Sequence, residues 1–132
     1  MMATNGQHIY LVDDDEDDQF LLQGLIKAHS PATSVQVLGD GEQLLKALEA
    51  AESLPTLVLL DLNMPRMNGM EALERIRTSK AYANLRVIIL TTSDSEQDRQ
   101  AALRLRASDY LIKPGSHHQM NQLVSAIKHS WL

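Results

Sequence analysis

Residues 9–14 run Ile9-Tyr10-Leu11-Val12-Asp13-Asp14, an apolar stretch that stops abruptly on two carboxylates. Three more stretches stop in the same way: Leu57 to Leu60 on Asp61, Val87 to Leu90 on Thr91, and Leu111 and Ile112 on Lys113. Short, wholly apolar runs suit strands buried on both faces, as in a parallel sheet. Parallel strands bring their carboxyl ends to one rim, so three acids, a hydroxyl and an ammonium are expected to converge on one crevice. Such a cluster suits a divalent cation and a phosphoryl group.

Helical patterns separate the runs. Asp15, Glu16, Asp17 and Asp18 precede an apolar stripe of Phe20, Leu21, Leu22, Leu25 and Ile26, ended by Ser30 and Pro31. The four acids are read as complement to the positive end of that helix. Ser34 to Leu38 alternates, then Gly39-Asp40-Gly41 turns into a helix carrying Leu44, Leu45, Leu48 and Ala51. Pro65 and Asn68-Gly69 lead into a helix with Met70, Leu73 and Ile76 inward, and a polar stretch from Thr78 to Asn84 follows. Ser93 with Glu96 predicts a capping box for a helix with Ala101, Ala102 and Leu105, and Ser116 with Gln119 repeats that signature. The last helix aligns Met120, Leu123, Val124, Ile127 and Trp131 on one face.

Five strands alternating with five helices through right-handed crossovers predict an α/β fold. It is an open, doubly wound, five-stranded parallel sheet, flavodoxin-like. The alternating run Ser34 to Leu38 and the short, more polar Asp109 to Ile112 belong at the edges. The strand order is then 2-1-3-4-5, with its switch point between the first and third strands, beside Asp13, Asp14 and Asp61.

A length of 132 residues with 44% apolar residues predicts a single domain over 1–132, its first seven residues a flexible lead, with no output domain left over. Seventeen acids against twelve Lys and Arg argue against a general nucleic-acid surface or anionic lipid. The chain has no cysteine, which rules out disulfides and thiolate metal sites. No stretch approaches the roughly 18 apolar residues of a membrane span, and no secretory signal opens the chain. A cytoplasmic location is expected.

Like charges about 4 Å apart repel by roughly 4 kcal/mol at an effective dielectric near 20, so three clustered carboxylates need a cation or a proton between them. Oxygen ligands with no His or Cys at coordinating spacing select a hard ion, and a shell with room for water and phosphate favours Mg²⁺ over Ca²⁺. One carboxylate can then attack phosphorus while the cation and an ammonium neutralise the charge. Asp61, alone at its strand end, is the best nucleophile. Lys113, just before Pro114, suits pairing with the acid or its phosphate, and Thr91 can donate its hydroxyl.

At these residues the chain resembles the receiver domain of two-component response regulators. The joint elements are Val12-Asp13-Asp14, Leu60-Asp61-Leu62-Asn63-Met64-Pro65 with Gly69, Leu90-Thr91, and Tyr110-Leu111-Ile112-Lys113-Pro114. The resemblance implies that Asp61 accepts phosphate from the phosphohistidine of a sensor histidine kinase or phosphotransfer protein. It implies that Asp14, Asp61 and the Asn63 carbonyl ligate Mg²⁺, with Asp13 acting through water. It makes Thr91 and Tyr110 a switch whose hydroxyl turns to the phosphate while the ring moves inward, changing the face of the fourth helix, fifth strand and fifth helix. Lacking an effector, the chain looks like the stand-alone, chemotaxis-regulator type that acts by binding a partner protein. The run Leu90-Thr91-Thr92-Ser93 and the stretch before the fourth strand look more like regulators paired with phytochrome-type kinases.

Two positions depart from the family pattern. Thr92 stands where a smaller residue is common, which predicts slower phosphoryl access, and Arg106 stands where a Gly often precedes the Ala. Without the resemblance, Tyr110 reads as a half-buried aromatic of an edge strand, Lys113 as a solvated lysine, and His8, His29, His117, His118 and His129 as scattered surface groups. Arg99, Arg104 and Arg106 form either a solvated face or a homodimer contact through the fourth helix, fifth strand and fifth helix. Two other functions compete with phosphorylation-dependent binding. A haloacid-dehalogenase-type phosphatase needs an acid two residues after the nucleophile, where this chain has Asn63, and an interaction module indifferent to phosphate leaves the acid set without a role. No Walker loop or G-x-G-x-x-G is present to support nucleotide binding.

Overall fold

Runs of Val, Ile and Leu become strands, and the amphipathic stretches between them become helices, in a computed structural model that describes residues 7–132. The order is β1 (His8–Val12), α1 (Glu16–His29), β2 (Ser34–Leu38), α2 (Gly41–Ala50), β3 (Leu57–Leu60), α3 (Gly69–Thr78), a 3-10 turn (Lys80–Tyr82), β4 (Val87–Thr91), α4 (Glu96–Arg104), β5 (Asp109–Ile112) and α5 (His117–Trp131). All five strands pair in parallel in the order β2-β1-β3-β4-β5. The expected order and edge strands are both present.

Strand alternation divides the core into two layers. Tyr10, Val12, Val58, Leu60, Val87, Ile89 and Tyr110 face Leu44 and Leu48 of α2, Leu73 and Ile76 of α3 and Ala102 of α4. Ile9, Leu11, Leu57, Leu59, Ile88 and Leu90 face Leu22, Leu25 and Ile26 of α1 and Met120, Val124 and Ile127 of α5. Burying each Leu or Ile contributes about 1.5–3 kcal/mol, so the three central strands, buried throughout except at His8, anchor the sheet.

Side-chain caps fix where each helix starts, and hence the loops at the rim. Asp15 accepts from the Asp17 and Asp18 amides, Asp40 from Gln43, Ser95 from Asp98 and Ser116 from Gln119, while Asn68 and Glu71 form a reciprocal capping box.

Several expectations are corrected. The fourth helix is capped by Ser95, because Ser93 donates its hydroxyl to the Asp98 carboxylate at 2.7 Å, and Leu105 is the residue on which that helix ends. Phe20 leaves the apolar stripe of α1 and is 82% exposed, since the stripe's buried face runs through Leu22, Leu25 and Ile26. Of the expected flexible lead, Met1 to Gly6 lie outside the described residues. Gln7 is held at both ends, its amide donating to the Leu132 carbonyl at 3.1 Å and its own carbonyl accepting from the Ser34 amide at 2.8 Å.

Candidate functional site

The sheet sets the geometry of the rim. Asp13 and Asp14 directly follow β1 and Asp61 follows its neighbour β3, with Val12 in register with Leu60. The ladder runs on past the strands: the Asp13 amide donates to the Leu38 carbonyl and the Asp61 amide to the Val12 carbonyl, both at 3.0 Å. The side chains therefore leave from fixed backbone. One oxygen from each of Asp13, Asp14 and Asp61 lies within 4.8 Å of the others. Asp13 and Asp61 are buried and Asp14 is exposed, so the group is open on one side. Three carboxylates with an open side fit a hard divalent cation that keeps part of its water.

Lys113 reaches the same place from the end of β5. Its amide donates to the Thr91 carbonyl at 2.7 Å, which places the residue beside the end of β4. Its ammonium meets the carboxylates of Asp13 at 2.7 Å, Asp18 at 2.8 Å and Asp61 at 3.1 Å. An ammonium has three protons, so all are taken by charged acceptors.

Burial pushes the Asp13 carboxyl up, against the hydrogen bonds from Lys113 and the Asp15 amide and the charge of Lys113, with the Asp61 charge adding to the rise. Burial alone would lower Lys113, but the hydrogen bonds it donates to Asp13 and Asp18 and the charges of Asp61 and Asp13 raise it above its ordinary value. The lysine stays charged against the three carboxylates it bonds, and Asp14 adds a fourth carboxylate beside Asp13 and Asp61. That excess of negative charge is what a bound cation would relieve.

The loops around Asp61 are close-fitting. Its Oδ1 accepts from the Asn63 amide at 3.3 Å, and the Gly69 amide donates to the Leu62 carbonyl at 3.0 Å. A Cβ at Gly69 would collide with the Asp61 carbonyl and crowd Leu62, so only glycine lets α3 start this near the acid. Thr91 is fully buried at the end of β4, its hydroxyl accepting from the Ser93 amide at 3.3 Å. Tyr110 is buried rather than half-buried, and its hydroxyl donates to the Ser93 carbonyl at 2.9 Å. That bond ties β5 to the loop after Thr91.

The rim thus gathers Asp13, Asp14, Asp61 and Lys113, with Thr91 and Asn63 beside them. Asp18 was missed: its run of acids has the look of helix-end charge, and nothing local indicates a reach to Lys113, 95 residues away. Thr92 is exposed beside Thr91. The histidines stay apart from the site: His8 bonds Ser34, His29 bonds Asn121, and His117, His118 and His129 are exposed.

The family model described as response regulator receiver domain matches residues 9–128. Response regulator Rcp1 of Synechocystis sp. is 31% identical over 129 residues, covering 94% of this chain and 88% of the relative. The solved structure of the Mn²⁺-bound form of Rcp1 matches with a TM-score of 0.88 at 30% identity, covering 96% of this chain and 94% of that one. The phosphorylated cyanobacterial phytochrome response regulator RcpA matches with a TM-score of 0.91 at 30% identity and the same coverage. The nitrate/nitrite response regulator NarL of Escherichia coli is 38% identical over 99 residues, which cover 74% of this chain and 45% of that longer protein.

Proposed function

Since the chain belongs to the response regulator receiver family of two-component signalling, we propose that Asp61 is its phosphoacceptor and that Mg²⁺ is the divalent ion at the acid rim. The observation that carries this reading is the convergence of Asp13, Asp14 and Asp61 within 4.8 Å of one another with the Lys113 ammonium on Asp61. In the reaction an Asp61 carboxylate oxygen forms the new O–P bond as the P–N bond to the donor histidine breaks, and the imidazole, already protonated on its other ring nitrogen, takes the bonding pair and leaves as the neutral ring. Asp14, Asp61 and the Asn63 carbonyl would hold the ion, and Asp13 would act through water. Bound there, Mg²⁺ offsets the carboxylate charge and the charge on the phosphoryl oxygens.

Lys113 contributes a fixed positive charge to the acyl phosphate, and Thr91 contributes a hydroxyl from the neighbouring strand. Tyr110, bonded to the loop after Thr91, carries the change to the face of α4, β5 and α5. The donor is a sensor histidine kinase or phosphotransfer protein, of the phytochrome class by analogy with RcpA, and the output is binding of an effector protein. The chain's catalysis is confined to its own phosphorylation and dephosphorylation, since Asn63 stands where a phosphatase of the dehalogenase kind needs an acid. Among the described residues no helix is long and apolar enough to cross a membrane, and we place the reaction in the cytoplasm.

The test is to incubate the protein with Mg²⁺ and phosphoramidate and weigh it intact. One phosphate adduct is expected on the wild type and none on Asp61→Asn. An unmodified wild type, or an adduct that survives the substitution, overturns the reading.

A further inference from the structure

Of the acids that open α1, Asp15 caps the helix through its own carboxylate, and Glu16 and Asp17 are exposed. Asp18 does something else. Its side chain is 28% exposed and its Oδ2 sits 2.8 Å from the ammonium of Lys113, whose side chain is only 5% exposed. Asp13 and Asp61, the other two acceptors of that ammonium, belong to the group of carboxylates able to hold a metal, and Asp18 does not.

That difference has a physical consequence. A divalent ion draws the charge of Asp13 and Asp61 toward itself, and a phosphoryl group converts Asp61 from a carboxylate into an acyl phosphate, a mixed anhydride. The ion weakens two of the three bonds that aim Lys113, and phosphorylation weakens one of those two further. Asp18 is the partner left unaltered. It stands on a helix whose start is fixed by the Asp15 cap and by the Gln19 side-chain amide, which donates to the Asp13 carbonyl.

Resting on the phosphoacceptor reading, we propose that Asp18 is a positioning residue, anchoring the Lys113 ammonium from α1 so that one N–H stays directed at the phosphoryl group on Asp61. It touches neither the phosphate nor the ion and acts through Lys113.

The test measures phosphorylation by phosphoramidate at saturating Mg²⁺ in the wild type, Asp18→Asn, Asp18→Glu, Lys113→Ala and the Asp18→Asn/Lys113→Ala double variant. Loss of aim in a positioned charge costs roughly tenfold or more in rate. Asp18→Asn is expected to be slowed by about that factor, and Asp18→Glu, which keeps the charge, to recover most of the rate. In the Lys113→Ala background Asp18→Asn is expected to have no further effect. A wild-type rate for Asp18→Asn, or an equal slowing with and without Lys113, overturns the assignment.

A second readout needs no phosphoryl transfer. The three-fold bonded ammonium should give a resolved ¹⁵N resonance, identified by its loss in Lys113→Ala and broadened away in Asp18→Asn. If that signal persists unchanged in Asp18→Asn, the anchor is refuted even where phosphorylation fails. If it is lost while the wild type takes no phosphate, the anchor stands and the phosphoacceptor reading is the part that falls.

Discussion

Asp13 is 1% exposed, and its burial costs more than its hydrogen bonds return, so its carboxyl titrates above the ordinary 3.8. The native state then holds that proton more tightly than the unfolded chain, and stability is lost as pH rises from 3.8 through the native value. Lys113 has the same sign in a far higher window: raised above its ordinary 10.5, it contributes stability that is complete below that value and lost only as pH climbs through the native one, so its charged form is the stabilising one at neutral pH. At neutral pH the charged Asp13 therefore weakens the metal-free fold. Asp13→Asn is expected to melt above the wild type in EDTA at pH 7, with the gap closing as pH falls below 3.8 and shrinking when Mg²⁺ is added. Thermal melts across that pH range check it, and a lower melting temperature for the variant in EDTA would contradict it. The residues that the sequence indicates, Asp13, Asp14, Asp61, Thr91 and Lys113, all stand at strand ends, where an apolar run makes the next polar residue conspicuous. Asp18 stands one turn into a helix among other acids, and its partner is fixed only by the tertiary fold.

The end of α4 explains the departure at position 106. Arg106 has φ 63°, its amide bonds the Leu103 carbonyl at 2.9 Å, and the Ala107 amide bonds the Ala102 carbonyl at 3.0 Å. Those paired bonds form a Schellman ending, whose left-handed residue is usually glycine. Holding an L-residue there costs roughly 1–2 kcal/mol. Arg106 also sits by Arg77, whose guanidinium is lowered by burial and then by the charge of Arg106. Two exposed bonds run the other way, Arg77 Nε to the Arg106 carbonyl and Arg106 Nη2 to the Arg77 carbonyl. Arg106→Gly removes only the second. The variant is expected to be more stable by about 1 kcal/mol in urea denaturation, and a loss of stability would show that the guanidinium bond outweighs the backbone strain. The start of α4 was less legible than its end. Ser93 and Ser95 each stand three residues before an acid, and only the folded loop, with Tyr110 bonded to the Ser93 carbonyl, decides that Ser95 is the cap.

At the scale of the molecule, the strand order was legible because burial on one face or two leaves its own pattern, and the 2-1-3-4-5 arrangement follows from which runs alternate. Which exposed apolar residues matter was not legible. Leu103 on α4 and Ile112 on β5 are 42% and 47% exposed, and α4 also carries Arg99 and Arg104, with Arg106 just past its end. A phosphorylation-strengthened homodimer through α4, β5 and α5 is expected to cover them, as sedimentation with Mg²⁺ and beryllofluoride would reveal. An unchanged monomer in both states contradicts it. The bond from Gln7 to the Leu132 carbonyl brings position 7 and position 132 together at the amino ends of the strands, on the pole opposite the acids. A fluorophore or fused module attached at either position would hang from that pole and leave the acid rim clear. A short peptide splice between them would allow the chain to be reopened elsewhere as a circular permutant.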